Sequence, residues 1–272
     1  ITKLSVQFSQ NLLAETNDFE LILDKVDLAG LPTDIVDLAK LEAENKFSKN
    51  KEDKYKDKYV FTAQRSSMYP FLTYSTRRDL REKLYKGYIQ RGDNNNEYDN
   101  KDITSKIASL RVEKANILGF ESHAHYVLDN TMAKTPEAVY GLLNQLWAPA
   151  LKRAKNELNE MQILANEEGN NFEIASWDWW HYAEKVRKDK YDLDEEEIKE
   201  YFTLDNTIDG IFKTSNKLFG LTFEEKFDLD LYHPDARVWE VKDSDGSHVG
   251  LYIGDYYTRS SKRGGAWMSS FR

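Results

Sequence analysis

The sequence predicts a mainly α-helical protein with a small antiparallel β-sheet near the C-terminal end. Along most of the 272 residues, apolar side chains recur at the three- and four-residue spacing of amphipathic helices. From Val238 onward the spacing changes to the alternation of strands, and turn residues separate two short apolar runs. We therefore predict a helical region over residues 1–235 and a β-hairpin region over residues 236–272.

The first four dozen residues indicate two or three helices. Gly30-Leu31-Pro32 interrupts the pattern, and Thr33 and Asp34 can then cap a helix that carries Ile35. The apolar run at residues 59–62 is a candidate strand. It could pair with the late hairpin despite the distance in sequence.

The middle of the chain carries clear helix start and stop signals. Ser75 is predicted to cap a helix that runs through Arg91, with Gly92 just beyond its end. The next helix is expected to end near Gly119, and a shorter one follows through Val127.

Thr135-Pro136-Glu137 combines an N-cap, a proline at the first helical position and an acid near the positive end of the helix dipole. It predicts the start of a long helix that ends near Glu168. Another helix is expected over 177–188. Asp194 is predicted to begin a capping box, and Asp205 to cap a last helix that ends at Gly220.

The hairpin follows this last helix. Asp243-Ser244-Asp245-Gly246 has turn composition, and glycine accepts the positive φ that such turns need. Val249, Leu251 and Ile253 alternate with other residues and predict a strand that buries this face. The glycine-rich stretch 263–268 follows, and the sheet is expected to extend to residue 268.

Composition excludes several classes of function. The net charge of −9 disfavours non-specific nucleic-acid binding, which needs clustered cations. The chain has no cysteine and therefore no disulfide or thiolate site, and its longest apolar runs are too short to span a membrane. There is neither a signal-peptide pattern nor an initiator methionine, so we expect a cytoplasmic protein, or a periplasmic one whose signal segment was removed.

Motifs for metal binding are weak. His123 and His125 are two residues apart, which places them on different faces of a helix, and a structural role is favoured. Asp243 to Gly246 begins like a calcium loop but lacks the later acidic ligands, so a hairpin turn is favoured. We predict no metal ligand and no catalytic residue in this chain.

Several short stretches keep the order found in one enzyme family. They are Asn94–Asn100, Met132–Val139, Trp177–Trp180, Trp239–Val241, Gly250–Tyr257 and Lys262–Met268. In these the chain resembles the zinc oligopeptidases related to thimet oligopeptidase, neurolysin and bacterial peptidyl-dipeptidase. The resemblance implies a zincin-like, neurolysin-like peptidase fold and an enzyme that hydrolyses short peptides. It also implies one zinc ion, held by an H-E-x-x-H helix whose glutamate activates water.

The sequence contains no H-E-x-x-H motif. We therefore expect a fragment of a longer peptidase that ends before its metal site, inactive and zinc-free on its own. Its helices would form part of the channel wall. Two alternatives stay open: a noncatalytic helical binding or scaffold module, and a family member whose downstream motif has decayed.

The resemblance assigns substrate binding to Gly264, Gly265 and Ala266, as an edge strand that pairs with the substrate main chain. The alternative is an internal strand that packs beneath the zinc helix. Because Trp267, Met268 and Phe271 are large and apolar, we also expect the fragment to self-associate.

Overall fold

Helices dominate the computed structural model, which describes residues 1–191 and 195–270. The helices of the described residues are α1 (Thr2–Asp18), α2 (Thr33–Asn50), α3 (Arg65–Tyr74), α4 (Arg78–Ile89), α5 (Lys101–Ile117), α6 (His123–Leu128), α7 (Pro136–Glu167), α8 (Trp179–Tyr191), α9 (Glu195–Lys199) and α10 (Leu204–Phe219). The strands are β1 (Glu20–Leu23), β2 (Tyr59–Thr62), β3 (Thr222–Lys226), β4 (Arg237–Lys242) and β5 (His248–Gly254). The predicted fold class, mainly helical with a small antiparallel sheet, is confirmed.

The chain divides into two compact units. The first contains Ile1–Asp189 and the described residues from Ser260 onward, and the second contains Lys190–Arg259. The predicted division at residue 236 followed the change in secondary structure rather than compactness, and it stays a prediction. Asp194 and Phe271, which the sequence singled out, lie outside the described residues.

The core of the first unit forms around a two-stranded sheet. β1 and β2 are antiparallel, with Leu21 opposite Phe61, and both side chains are almost fully buried. Phe61 meets Phe71 of α3 edge to face, with 4.6 Å between ring centroids. The predicted strand at 59–62 is therefore present, but pairing with the late hairpin is wrong. Its partner is β1, where Leu21 and Leu23 supply a matching buried face.

Ser75 ends one helix instead of starting another. Its N–H donates to the carbonyl of Phe71, which closes α3, a helix absent from the sequence prediction. α4 begins three residues later, at Arg78. The Ser75 carbonyl accepts a hydrogen bond from Nη1 of Arg81 at 2.7 Å, so this turn is fixed from inside the core.

The long helix α7 starts where the sequence predicts. The Thr135 hydroxyl accepts a hydrogen bond from the N–H of Ala138, and Pro136 occupies the first turn. The N-cap of α10 is Thr203, whose hydroxyl accepts a hydrogen bond from the N–H of Asn206. The prediction that Asp205 caps this helix is therefore wrong. Asp205 forms an ion pair with Arg237 of β4 at 2.8 Å.

The second unit holds the sheet with strand order β3–β4–β5, all antiparallel. β3 was not predicted. Its Phe223 stacks on Phe212 of α10 with 4.0 Å between centroids, and Trp239 of β4 meets Phe212 edge to face. This aromatic contact attaches the helix to the sheet.

Two details of the predicted hairpin are wrong. Val249 and Leu251 of β5 are 57% and 53% exposed, whereas Tyr252 on the opposite face packs against Trp239. Residues 255–270 form neither helix nor strand, so the edge strand expected at 263–268 is not formed. Within the described part of the chain, no helix has the length and apolarity needed to cross a bilayer.

Candidate functional site

The three residues predicted to bind substrate lie on an exposed segment of the first unit. Gly264, Gly265 and Ala266 are all exposed, and the two glycines form a bend. Gly265 has φ +117°, a conformation that a side chain would strain. A Cβ at Gly264 would lie 3.9 Å from Nε of Arg65, its nearest neighbour. The main chain at Gly264 is therefore open to approach from solvent.

Gly264 also lines a cleft of about 420 Å³ within the first unit. One wall comes from α1 and another from the start of α3 and the end of α4. The remaining wall is the segment that carries Gly264 and Trp267. The lining residues are Ser9, Leu12, Leu13, Thr16, Ala63, Gln64, Arg65, Tyr88, Arg91, Arg263, Gly264 and Trp267.

The segment is tied to α1 near this cleft. Nδ2 of Asn17 donates a hydrogen bond of 3.0 Å to the carbonyl of Ser260. Further along, the guanidinium of Arg263 lies 5.6 Å from the ring centroid of Trp267. The first of these contacts joins residues 243 positions apart in sequence.

The tryptophan-rich motif 177–180 contributes an ionic cluster in the core. Asp178 accepts hydrogen bonds from Nε and Nη2 of Arg78 at 2.9–3.1 Å, and from Nη2 of Arg81 at 2.8 Å. The N–H of Ala175 also donates to its carboxylate. Asp178 is fully buried and its oxygens are occupied by these donors. The cluster therefore has a structural role, which is to fix the start of α8 against α4.

His181 follows this cluster and is held in one tautomer. Its Nδ1 lies 2.9 Å from the carbonyl of Thr73, which can only accept, so Nδ1 carries the proton. Burial and the charges of Arg81 and Lys185 lower the pKa of His181 to about 4. The imidazole is therefore neutral at physiological pH and positions α8 against the end of α3.

The residues that the sequence analysis weighed as metal ligands make local contacts. His125 of α6 bonds through Nδ1 to the Ser122 hydroxyl, and His123 packs against the ring of Tyr126. Asp243 to Gly246 forms a hairpin turn in which the N–H of Gly246 donates to the Asp243 carbonyl. Across the residues that the structure describes, no three His, Asp or Glu side chains converge as a metal site would. These residues do not fit a zinc site.

The sequence analysis missed the arginines of the cleft. Arg65, Arg91 and Arg263 all line it. They are 26 and 172 positions apart and belong to no common motif. Only the fold brings them to one surface, so no local pattern could have indicated them.

Comparison with known proteins gives consistent matches. The model of "Peptidase family M3" matches residues 71–272. Dipeptidyl carboxypeptidase of Escherichia coli is 36% identical over 270 residues, which cover 98% of this chain and 39% of that enzyme. Oligopeptidase A of Salmonella typhimurium is 33% identical over 273 residues, with the same coverage. Probable thimet oligopeptidase of Arabidopsis thaliana is 26% identical and is covered over 34% of its length. The chain thus spans about two-fifths or less of these relatives.

Proposed function

The chain belongs to peptidase family M3, and we propose that it forms part of a zinc-dependent enzyme that hydrolyses short peptides. The observation that carries the proposal is the family match over residues 71–272. Relatives called dipeptidyl carboxypeptidase and oligopeptidase A, aligned over 98% of the chain, support peptides as the substrate class.

Within such an enzyme, this chain would supply part of the channel wall rather than the metal site. Two observations support this division. The sequence has no H-E-x-x-H motif, and the described residues offer no group of metal ligands. We therefore assign no catalytic step to the side chains of this chain. The zinc ligands would come from the part of the relatives that the chain does not span.

We propose that Gly264, Gly265 and Ala266 contact the main chain of the substrate. All three residues are exposed and have no large side chain, so another backbone can come close to them. Because residues 255–270 form no strand, this role requires the segment to become extended when a peptide binds. Gly264→Leu should then raise KM of the whole enzyme and leave kcat almost unchanged. Gly141→Leu, at a position with open space and no positive φ, is the control.

Hydrolysis by the whole gene product tests the proposal. A quenched-fluorescent peptide of about ten residues should be cleaved, a chelator should abolish cleavage, and added zinc should restore it. A folded protein substrate should stay intact because a channel admits only short chains. A scaffold module or a family member with a decayed motif would cleave neither substrate, and that result would reject the proposal.

A further inference from the structure

Three cationic side chains share the cleft of the first unit. Arg65 comes from the first turn of α3, Arg91 follows α4, and Arg263 comes from the segment after residue 259. Among the residues that the structure describes, no acidic side chain lines the cleft, although the net charge of the protein is −9. The charge of this cleft is thus opposite in sign to the net charge of the chain, and a positive cleft attracts anions.

The charges of these arginines are not neutralised by the described part of the protein. Nε of Arg65 donates to the Tyr88 hydroxyl at 3.2 Å. Arg91 donates to the Tyr88 carbonyl at 2.7 Å and to the Thr16 hydroxyl at 2.6 Å. Both thus bond to uncharged oxygens, and Arg263 contacts the face of Trp267. Among the described residues no carboxylate forms an ion pair with any of the three.

Tyr88 contacts two of these arginines, Arg65 and Arg91. Burial raises the pKa of its hydroxyl, but the hydrogen bond from Arg65 and the charges of Arg91 and Arg65 lower it by more. The net effect is a pKa below the ordinary value for tyrosine. Arg91 also stacks on this ring, 3.8 Å from its centroid, which fixes the direction of its guanidinium.

The rest of the lining limits the kind of anion. Leu12, Leu13 and Trp267 add apolar surface beside the cations. The volume of about 420 Å³ lies within the range of about 300–1,000 Å³ typical of small-molecule clefts. Guanidinium groups bind carboxylates through paired, charge-assisted hydrogen bonds. The cleft therefore suits a molecule with a carboxylate at one end and an apolar side chain beside it.

We infer that this cleft binds the C-terminal carboxylate of a short peptide that ends in an apolar residue. The carboxylate is assigned from the cleft alone, whereas the choice of a peptide rests on the proposed function. Arg65, Arg91 and Arg263 contact the carboxylate, and Leu12, Leu13 and Trp267 contact the terminal side chain.

Calorimetry on the 272-residue chain tests this assignment without any catalytic turnover. The two probes are Gly-Gly-Phe and its C-terminal amide, which differ only in the terminal charge. The free acid should bind at least about tenfold more tightly than the amide, because the amide loses charge-assisted hydrogen bonds. Its affinity should also fall as salt is raised, as expected for partly exposed charges.

Arg263→Gln is the sharpest variant because Arg263 lies outside helices and strands and makes no hydrogen bond among the described residues. It should weaken acid binding by about tenfold. Arg65→Gln should act likewise, and circular dichroism checks its fold. Arg111→Gln, on the exposed face of α5, removes the same charge away from the cleft and should change nothing.

Equal affinity for acid and amide, or unchanged acid binding in both cleft variants, would overturn the assignment. Undetectable acid binding at millimolar concentration would do so as well. Acid-selective, arginine-dependent binding supports it even if the whole gene product hydrolyses no peptide, so the two proposals fail separately.

Discussion

The carboxylate of Asp178 accepts a 2.8 Å hydrogen bond from Arg81 where both side chains are almost completely withdrawn from solvent. Arg78 donates a hydrogen bond to the other oxygen of the same carboxylate. Charges buried in this way are costly unless each is paired and hydrogen-bonded. The cluster therefore joins α4 to the start of α8 only while all three groups are present.

Asp178→Asn should destabilise the first unit by about 3–5 kcal/mol, because it leaves the Arg81 cation buried without its counter-charge. Urea unfolding followed by circular dichroism measures the change. Asp93→Asn, which removes an exposed partner of Lys101, is the matched control and should leave the midpoint nearly unchanged. Equal effects from both substitutions would contradict a structural role for the cluster.

His181 should make stability depend on pH. Its pKa is about 4 in the folded protein and near 6.5 when unfolded, so between these values the unfolded chain binds more protons. The free energy of unfolding should therefore fall as the pH drops from about 6.5 toward 4.

His181→Asn, which can keep a donor toward the Thr73 carbonyl, should flatten that part of the stability profile. Unfolding midpoints at half-unit pH steps, in the parent and the variant, make the comparison. Parallel profiles would show that other groups cause the dependence.

Gly87→Ala should destabilise the packing of α4. A Cβ at this position would lie 1.9 Å from Cε2 of Phe19, so the ring must move in a packed environment, at a cost of about 1–3 kcal/mol. Gly141→Ala in α7 meets open space and should stabilise by up to about 1 kcal/mol through helix propensity. Thermal unfolding of both variants checks the opposite signs, and a shift in the same direction would refute the packing argument.

The isolated chain should self-associate at high concentration. Tyr140, Leu143, Trp147 and Leu151 follow one another at helical spacing on α7 and are 41–69% exposed. Trp267 and Met268 are exposed as well. Burying each such side chain is worth about 1.5–3 kcal/mol, so a few of them can hold a weak dimer.

Sedimentation over a concentration series measures this association. Trp147→Glu should weaken it, whereas Lys152→Glu, an exposed change on the same helix, should not. A chain that stays monomeric at every concentration would contradict the prediction.

The sequence could predict features that depend on neighbouring residues. Thr135 and Pro136 mark the start of α7 because a cap and an N-terminal proline act within one turn. Gly220 ends α10 at φ +75° for a similarly local reason. In contrast, β1 pairs with β2 across nearly forty positions, and short strands of that kind carry little local signal.

The same distinction explains the candidate site. Gly264 and Gly265 were noticed because they adjoin each other in a glycine-rich stretch. Their relation to Arg65 and Arg91 depends on the path of the chain through α1, α3 and α4, and no motif contains it. Val249 and Leu251 alternate as strand residues do, yet both are exposed. Alternation of apolar residues indicates that a strand has two faces, but it does not indicate which face is buried.

Peptide hydrolysis should be compared between the 272-residue chain and the whole gene product. Both are given the same quenched-fluorescent peptide, with zinc and then with a chelator. We expect chelator-sensitive turnover by the whole product and none by the 272-residue chain, whose described residues hold no group of metal ligands. Chelator-sensitive turnover by the 272-residue chain alone, or no such turnover by the whole product, would show that the metal site has been assigned to the wrong part of the protein.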